Sequence, residues 1–591
     1  MITLDTETDP IEGNPLVRPP AMHGLSYIVP GHPPGYLHFR GEKSNSKYHE
    51  VGDFLNNIWK SNEPLLFHNA PFDLRVIEQE FGLPIPPWDR IHDTVLLLYL
   101  KDPYAQTLSL KPSAEAYLGL PSDEQDELAI WLKRNGFDPR ADIVKGPLEL
   151  ISKYAIGDVV RTLGLFECLH PILQHGPYDR ERELMPILLD ATRRGLRVDR
   201  GALAEANEQA IVALDLVTER IRTALHSPNL NIDSPHELAA ALERAEAVTH
   251  FQLTDKGNRS VAKKALATTI KDPVLLDLLR YRSSLETCLG TFMTGWLELS
   301  SADGRLHPEW NQVRNTEEKR RVGTRTGRIS CARPNLTNVP TEFEQAIPEG
   351  LPPLPLMRRF LLPEDGCVWL KRDYSGQELR IAAAFEEGPL LAAYKENPDL
   401  DPHQMAKELI FERVGKDFTR KHTKITGFQI IYGGGANAIS TNVGCSYLEG
   451  VEFKDAYFLA MPGIKELAKD TNDRGKKGLP ITTWGGRTYF KEPSRLINGR
   501  MTDFSYKLLN YLIQGSAADQ TKDAIIRWHR ERPHADFLVQ VYDEIGISCP
   551  IELWKIEMAR LRQVMEIPFL ECPMKTEGFV GMNWHDLEAC E

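Results

Sequence analysis

The sequence lacks paired cysteines, long apolar runs and any excess of positive charge. Its eight cysteines are scattered over 591 residues without a Cys-x-x-Cys pair, so neither a disulfide framework nor a zinc knuckle is indicated. A reduced, cytoplasmic setting fits this pattern better. No stretch of about 18 apolar residues occurs, and no membrane span is expected. The first residues, Met1–Asp5, are typical of a β-strand and not of a signal peptide.

The formal net charge of −13, taken alone, argues against nucleic-acid binding, because phosphate contacts need lysine and arginine. The distribution of charge is more informative than its sum. One stretch is rich in basic residues, namely Arg314, Lys319, Arg320, Arg321, Arg325 and Arg328. From charge alone, this stretch is either a solvated face or one wall of a groove for nucleic acid.

The length predicts several domains, at roughly 100–200 residues each. Residues 1–180 alternate short apolar strands with helical patterns, which indicates an α/β region. Residues 181–298 have a helical pattern. Residues 346–591 are mixed, with predicted strands at Cys367–Leu370 and Phe537–Val541 on either side of a long helical region.

Four carboxylates form a first candidate site in the N-terminal third. Asp5 and Glu7 lie near the end of a short strand, where alternation places residues i and i+2 on one face. Asp73 follows an apolar strand at the start of a helical pattern. Tyr154 and Asp158 are four residues apart in a helical stretch and share one of its faces. Each pattern alone is most often surface charge or a turn, but the ordered set is far more specific.

Carboxylates gathered in one site repel one another unless cations neutralise them, and hard oxygen ligands suit Mg²⁺ or Mn²⁺. Two such ions about 4 Å apart can activate a water and stabilise the leaving oxygen of a phosphodiester. The ordered set resembles the DEDD exonuclease superfamily, in the subtype with tyrosine in the last motif. This resemblance implies that the four acids bind the metals and that Tyr154 orients the attacking water.

A second candidate site begins with Arg420, Lys424, Phe428 and Tyr432, which recur at every fourth position. Each step of four turns a helix by about 400°, so the side chains form a slowly drifting stripe about 18 Å long. That length can follow a nucleoside triphosphate from its phosphates to its base. The two cations suit phosphates, and the two rings offer packing surfaces to sugar and base. Glycines at 433–435 are expected to end the helix.

Further acids lie at the ends of predicted strands in the C-terminal half. Asp373 follows the strand Cys367–Leu370, and the pair Asp543-Glu544 lies between two apolar strands. Acids in such places are costly to bury unpaired, so a divalent metal is a natural partner. Ordinary turn chemistry would also explain an Asp-Glu pair that stood alone.

In combination, these segments resemble the A, B and C motifs of the family A DNA polymerases, the DNA polymerase I family. The resemblance implies that Asp373 and Asp543 bind two Mg²⁺ ions, for which Mn²⁺ can substitute, while Glu544 assists nearby. It implies two Mg²⁺ ions in the exonuclease site as well. Arg420 and Lys424 would hold the triphosphate, and Lys424 would protonate the leaving pyrophosphate.

Other segments extend the resemblance along the chain. Asp401-Pro-His403 resembles the motif that supplies a histidine to the triphosphate. Phe428 and Tyr432 would pack under the incoming nucleotide. Glu378 would lie against the sugar, bond to the Tyr432 hydroxyl and exclude ribonucleotides. The residues implied in minor-groove and template contacts are Arg328, Asn510 and Gln514. The family usually has histidine where this chain has Tyr542, and often arginine near Tyr506 and Lys507.

The fold class expected from the resemblance is α/β and α+β, multidomain. A ribonuclease H-like 3′-5′ exonuclease domain would be followed by a right-hand polymerase with thumb, palm and fingers. The expected divisions are an exonuclease domain at 1–180, the thumb and the approach to the palm at 181–345, the first part of the palm at 346–405, the fingers at 406–500 and the second part of the palm at 501–591.

The expected partners are primer-template DNA and dNTPs, with no membrane. A processivity factor is a further candidate partner, and the protein is expected to be a monomer. Because the exonuclease motifs begin at Asp5, no 5′ nuclease domain is expected. The expected lack of this domain favours a bacteriophage replicative enzyme in the cytoplasm of an infected bacterium.

Two other functions compete with this interpretation. One is a single-subunit RNA polymerase, which shares the palm and fingers plan; the exonuclease motifs and Glu378 argue against it. The other is an exonuclease with an inactive, polymerase-like DNA clamp. The presence of Asp373, Asp543 and the full stripe argues against that alternative.

Overall fold

The computed structural model describes residues 1–41, 44–121, 123–254, 256–314, 322–343, 345–497, 499–531 and 534–590. Lys319, Arg320 and Arg321, which belong to the basic stretch noted in the sequence, lie outside these ranges. Within the described ranges, no helix combines the length and apolarity needed to cross a membrane.

The N-terminal third is built on a five-stranded sheet with strand order β3-β2-β1-β4-β5. Its first strand pairs antiparallel with the second and parallel with the fourth, which pairs parallel with the fifth. The strands are β1 Ile2–Thr8, β2 Met22–Ile28, β3 Gly35–His38, β4 Leu65–Phe67 and β5 Ile91–Asp93. The surrounding helices are α1 Tyr48–Lys60, α2 Ala70–Phe81, α3 Thr94–Lys101, α4 Leu110–Leu118, α5 Asp123–Arg134 and α6 Leu148–Leu169.

The central strand β1 is mostly buried, because helix α6 packs against it and against β2, and helix α2 also contacts β1. Its apolar residues Ile2 and Leu4 lie in a core with Leu65 and Phe67 of β4. The alternation read from the sequence therefore places the acids of β1 against α6.

The middle of the chain is helical, as its sequence pattern predicts. Its helices are α7 His175–Arg194, α8 Arg200–Ala224, α9 Pro235–Arg244, α10 Lys263–Thr269, α11 Pro273–Glu286 and α12 Thr294–Leu299. Between α11 and α12 the chain continues as a π-helix over Thr287–Met293. Short strands complete the region: β6 Leu196–Val198, β7 Arg305–Leu306 and β10 Leu361–Leu362 form one sheet, and β8 Glu309–Asn311 pairs with β9 Ser330–Ala332.

The C-terminal half contains an antiparallel sheet with strand order β16-β17-β11-β18-β19. Its strands are β11 Cys367–Tyr374, β16 Asp536–Val541, β17 Glu544–Pro550, β18 Thr576–Gly581 and β19 Leu587–Cys590. Two hairpins lie outside it: β12 Ile481–Thr482 with β13 Thr488–Tyr489, and β14 Arg495–Ile497 with β15 Arg500–Thr502.

Helices make up most of the rest of this half of the chain, and the last of them packs against β11, β17 and β18. They are α13 Gln377–Glu386, α14 Pro389–Glu396, α15 Pro402–Val414, α16 Arg420–Ile431, α17 Ala436–Val443, α18 Tyr447–Ala460, α19 Pro462–Lys476, α20 Leu508–Glu531 and α21 Trp554–Met565. Helix α16 ends at the expected place, since Gly433 takes a positive φ of 73° directly after it.

A buried charge network joins α7 to the C-terminal half. Glu181 accepts hydrogen bonds from Arg487 and from Lys522 of α20, the latter at 2.6 Å. Arg487 also donates to Asp519 at 2.6 Å. Because each charge has a partner, the cost of burying it is offset, and loss of any one member would leave an unpaired buried charge. The network therefore fixes α20 against the helix that follows the N-terminal domain.

Candidate active sites

The first site lies between β1 and α6. Asp5 and Glu7 project from the strand and Asp158 from the helix, with ligand oxygens of the three within 4.8 Å of one another. Asp73, on the first turn of α2, accepts hydrogen bonds from the Thr6 backbone N–H (2.9 Å) and hydroxyl (2.7 Å). The structure therefore brings together all four acids predicted from the sequence.

The turn that presents Asp73 is held by a carboxylate that sequence reasoning missed. Asp93, at the end of β5, accepts hydrogen bonds from the backbone N–H groups of Asn69 (3.0 Å) and Ala70 (2.9 Å). Asn69 has a positive φ of 75°, so the chain needs this support to enter α2. Asp93 ends an apolar strand just before a helix, and that position was the available signal.

Lys111 of α4 also lies in the first site, and no sequence motif pointed to it. Its Nζ is 3.2 Å from Asp158 Oδ2 and 3.5 Å from the centre of the Tyr154 ring. Tyr154 lies one helical turn before Asp158, as the spacing predicted. The site thus brings the ammonium of Lys111 among the four acids, with Arg161 also 3.9 Å from Asp158 Oδ1.

Burial and mutual repulsion disfavour the charged forms of these acids. Burial and then the charge of Asp158 raise the pKa of Glu7 to about 8, and burial raises the pKa of Asp73 to about 7. Burial followed by the charge of Asp73 holds the pKa of Asp5 well above its usual range. The cluster is therefore an environment that a divalent cation would stabilise.

The second site forms where two strands of the C-terminal sheet meet. Asp373 of β11 pairs in register with Glu544 of β17 on one side and with Glu577 of β18 on the other. Asp543 lies in the two-residue turn between β16 and β17. Tyr542 in the same turn has a positive φ of 60°, which is uncommon for a residue with a side chain.

The charge of Asp543 acts on Asp373 in this site. Burial, then the charges of Asp543 and Glu544, raise the pKa of Asp373 to about 8; burial raises that of Asp543 to about 6. Asp373 Oδ1 is buried without a hydrogen-bond partner among the described residues. A buried, unpartnered carboxylate oxygen beside a second aspartate fits a divalent cation.

Glu544 differs from the two aspartates because its carboxylate is already paired. Trp584 Nε1 donates to Glu544 Oε1 at 2.6 Å, while Arg358 and Lys371 approach Oε2 at 3.5 and 3.4 Å. These contacts were not predicted. In this structure Glu544 acts on its neighbours through its charge.

A cleft of about 930 Å³ opens beside Asp543 and gathers the predicted stripe. Its lining includes Arg328, Glu378, His403, Arg420, Lys424, Phe428, Tyr432, Gln514 and Tyr542. The rings of Phe428 and Tyr432 are 5.9 Å apart, and His403 lies 5.5 Å from Phe428. Burial lowers the pKa of His403 to about 4.

The cationic end of the stripe is anchored by an acid. Arg420 Nε donates to Asp401 Oδ2 at 2.6 Å, and Asp401 also caps the N-terminus of α15 through Oδ1. The sequence Asp-Pro at a helix start is a capping signal, but it does not predict the arginine partner. The ion pair keeps Arg420 next to His403.

At the other end, Arg328, Glu378, Tyr432 and Tyr542 form one group. Arg328 is paired with Glu378 and its guanidinium lies 5.4 Å from the centre of the Tyr542 ring. Burial and then the Glu378 charge raise the pKa of Tyr432 above its ordinary value. Glu378 is thus adjacent to Tyr432, as expected, but its pairing with Arg328 was not foreseen.

Helix α20 supplies the remaining predicted residues. Gln514 lines the cleft, whereas Asn510, one turn earlier, does not. Asn510 Oδ1 is buried without a hydrogen-bond partner among the described residues. Tyr506 packs against Gly433, where a side chain on the glycine would clash with its ring and backbone. Lys507 pairs with Glu492 at 3.1 Å.

Comparison with known proteins assigns the chain to a class. A family model described as DNA polymerase family A matches residues 200–586, and one described as 3'-5' exonuclease matches residues 43–174. The first match covers more than half of the chain, which therefore belongs to DNA polymerase family A.

Similar proteins come from phages and bacteria. DNA polymerase DpoZ of Vibrio phage phiVC8 is 26% identical over 624 residues, covering 96% of this chain and 93% of the relative. The DNA-directed DNA polymerase of Pseudomonas phage M6 is 26% identical and covers 95% of this chain and 89% of the relative. DNA polymerase I of Caldicellulosiruptor bescii is 28% identical over 419 residues, covering 69% of this chain. The chain spans about half of that relative, 47% of its length.

A solved structure shares the fold. It is the POL domain of Pol1 from M. smegmatis in complex with DNA primer-template and dNTP, with a TM-score of 0.78 and 20% identity. The match covers 99% of this chain and 96% of that chain. The expected fold class, an exonuclease domain followed by a family A polymerase, is confirmed.

Proposed function

We propose that the protein synthesises DNA from dNTPs on a primer-template and removes mispaired 3′ ends, in the replication of a phage genome in the cytoplasm of an infected bacterium. The observation that carries the proposal is a single cleft lined both by the whole Arg420–Tyr432 stripe and by Asp543. Membership of the polymerase family and the likeness to phage DNA polymerases over most of their length support it.

The proposed division of labour follows the expected domains. Residues 1–180 carry the exonuclease, and 181–345 the thumb and the approach to the palm. Residues 346–405 and 501–591 form the palm, and 406–500 the fingers. Primer-template DNA and dNTPs are the proposed ligands, and the protein acts as a monomer.

Two groups of acids are the proposed metal ligands. Asp373 and Asp543 would hold two Mg²⁺ ions in the polymerase site, and Asp5, Glu7, Asp73 and Asp158 would hold two in the exonuclease site. When bound, such ions lower the pKa of an attacking oxygen and stabilise charge on the phosphate. Glu544 supports Asp373 and Asp543 through its charge, while its own carboxylate stays on Arg358, Lys371 and Trp584.

The stripe binds the incoming nucleotide in this proposal. Arg420, Lys424 and His403 hold the triphosphate, since the first two are cationic donors and the third lies beside them. Lys424 would give a proton to the departing pyrophosphate. Phe428 and Tyr432 pack under sugar and base.

Sugar selection depends on Glu378 in this proposal. Its carboxylate lies against the C2′ position next to Tyr432, so a 2′-hydroxyl meets both a clash and a desolvation cost. Arg328 holds Glu378 in place and keeps other N–H donors for the minor groove, which Gln514 and Asn510 also contact. Minor-groove acceptors are shared by the base pairs, so correct geometry is recognised without a sequence preference.

In the exonuclease site, Tyr154 orients the water that attacks the last phosphodiester. The Tyr154 ring lies between Lys111 and the acids, so the direction of its hydroxyl is set before DNA binds. A mispaired end frays from the polymerase site and is cut here.

Primer extension tests the proposal against both alternatives. We expect extension with dNTPs and very little with rNTPs, and we expect Glu378→Ala to raise rNTP use. Equal use of dNTPs and rNTPs by the parent would favour an RNA polymerase. Degradation of single strands without any extension would favour an exonuclease with an inactive clamp.

A further inference from the structure

Lys111 lies in the proposed exonuclease site beside Tyr154, and the proposed mechanism gives it no contact with the substrate. It is the second residue of α4, and its side chain is only 11% exposed. Its Nζ is held 3.2 Å from Asp158 Oδ2 and 3.5 Å from the centre of the Tyr154 ring. A half-buried lysine that contacts both the last acid and the tyrosine is held in one place and is not a freely solvated surface charge.

We propose that Lys111 binds a non-bridging oxygen of the scissile phosphate at the 3′ end of single-stranded DNA. This inference rests on the proposed exonuclease function and adds a substrate-binding residue to it. While the acids carry no metal, the ammonium pairs with Asp158. When the oxygens of Asp158 are taken up by metal, the ammonium turns to the phosphate beside it.

The balance of charge supports this assignment. Four ionised acids and two divalent cations sum to zero, which leaves the phosphate charge of the substrate uncompensated. That phosphate gains further negative charge as the water oxygen bonds to phosphorus and the bond to the 3′-oxygen breaks. A fixed cation that touches the phosphate stabilises this change, and an ammonium with three donors on a long stem can reach it.

The neighbouring arginine is less suited to this role. Arg161 is 3.9 Å from Asp158 Oδ1, and it also donates to the backbone carbonyl of Pro121. Lys111 takes no proton in the reaction. The expelled 3′-oxyanion of the shortened strand is protonated by solvent, and a nucleoside monophosphate leaves.

The test uses a short single strand whose last linkage is a methylphosphonate, which lacks the charged oxygen and resists cleavage. Its affinity is compared with that of the natural strand by fluorescence anisotropy, with Ca²⁺ in place of Mg²⁺. Lys111→Met is the main variant, and Lys111→Gln repeats the measurement if Met impairs folding. Lys153→Met is the matched control, because Lys153 adjoins Tyr154 in sequence but is 57% exposed and paired with Glu127.

We expect the parent and Lys153→Met to bind the natural strand clearly more tightly than the methylphosphonate strand, and Lys111→Met to bind the two about equally. The salt dependence of natural-strand binding should fall by about 0.7 in slope, the share of one phosphate contact on a single strand. Single-turnover cleavage should fall roughly 10- to 100-fold, as for loss of one charged hydrogen bond. Lys111→Arg should recover part of the cleavage rate that Lys111→Met loses.

The opposite result overturns the assignment. If Lys111→Met distinguishes the two strands as strongly as the parent does, Lys111 does not touch that phosphate. A parent that does not degrade 3′ ends at all would instead refute the proposed exonuclease function.

Discussion

The two carboxylate sites of this protein are built in opposite ways. In the proposed exonuclease site, acids from a strand and two helices converge near a half-buried lysine, and three of them place oxygens within 4.8 Å of one another. In the proposed polymerase site, Asp543 lines an open cleft of about 930 Å³ together with the stripe of α16, and Asp373 lies on the neighbouring strand β11. Cutting one linkage needs only a phosphate and a water in place. Adding a nucleotide needs room for a triphosphate, a sugar and a base pair.

Removing a palm acid tests the independence of the polymerase site. Asp543→Ala should reduce extension by on the order of a thousandfold or more, since even one electrostatic donor in a transition state is worth about 10²–10³. Digestion of single strands should persist, because the variant leaves the first domain intact. Primer extension and single-strand digestion are measured on the same preparation. Normal extension would remove Asp543 from the mechanism.

The reciprocal change tests the exonuclease site. Asp5→Ala combined with Glu7→Ala should reduce 3′ degradation by on the order of a thousandfold or more while extension stays nearly intact. Both activities are assayed on one labelled primer-template, with and without dNTPs. If the folded double variant loses both activities equally, the two sites are not separate.

Phe428 tests where the stripe lies relative to the sugar. Phenylalanine has no hydroxyl to replace the missing 3′-OH of a dideoxynucleotide, so the parent should reject ddNTPs. In Phe428→Tyr, one hydrogen bond to a charged group, worth roughly 1.5–3 kcal/mol, should raise relative ddNTP use about ten- to over a hundredfold.

The measurement is competitive incorporation of ddNTP against dNTP in the Asp5→Ala, Glu7→Ala background, where terminators are not excised. Ordinary dNTP extension serves as the control. Equal discrimination by parent and variant would mean that Phe428 does not lie beside the sugar, and the placement of the stripe would be wrong.

The affinity of the exonuclease site for divalent metal should depend on pH. The pKa values of Asp73 and Glu7 are raised to about 7 and about 8, so their protonated forms predominate at lower pH in the metal-free protein. The metal-free fold is favoured by these groups below their ordinary pKa values and loses that stability as pH rises toward 8.

Metal binding must displace these protons, so affinity should rise by about tenfold per pH unit for each proton released between pH 6 and pH 8. Titrations with Mn²⁺ at pH 6 and at pH 8 measure this change in affinity. The Asp5→Ala, Glu7→Ala variant measures how much of this pH dependence comes from the polymerase site. Asp373 and Asp543 of that site also have raised pKa values. An unchanged pH dependence in that variant would place the effect outside the exonuclease site.

Much of the fold followed from short-range pattern. The helix predicted for the stripe is α16, Arg420–Ile431, and the strand predicted at Cys367–Leu370 extends to Tyr374. Within the helical pattern of residues 181–298, α11 begins at Pro273 and continues past Glu286 as a π-helix, which periodicity alone does not distinguish.

The sequence by itself determined which residues share a strand face or a helix face, because neighbours up to four positions apart are fixed by backbone geometry. Those local patterns, together with the resemblance of their order to known exonuclease and polymerase motifs, selected Asp5, Glu7, Asp73 and Asp158 and the stripe as candidates. Only the tertiary structure decided which distant charges meet. Lys111 reaches Asp158 across 47 positions, and Arg328 reaches Glu378 across 50. Such pairs depend on how whole helices and strands pack, and no local periodicity encodes that arrangement.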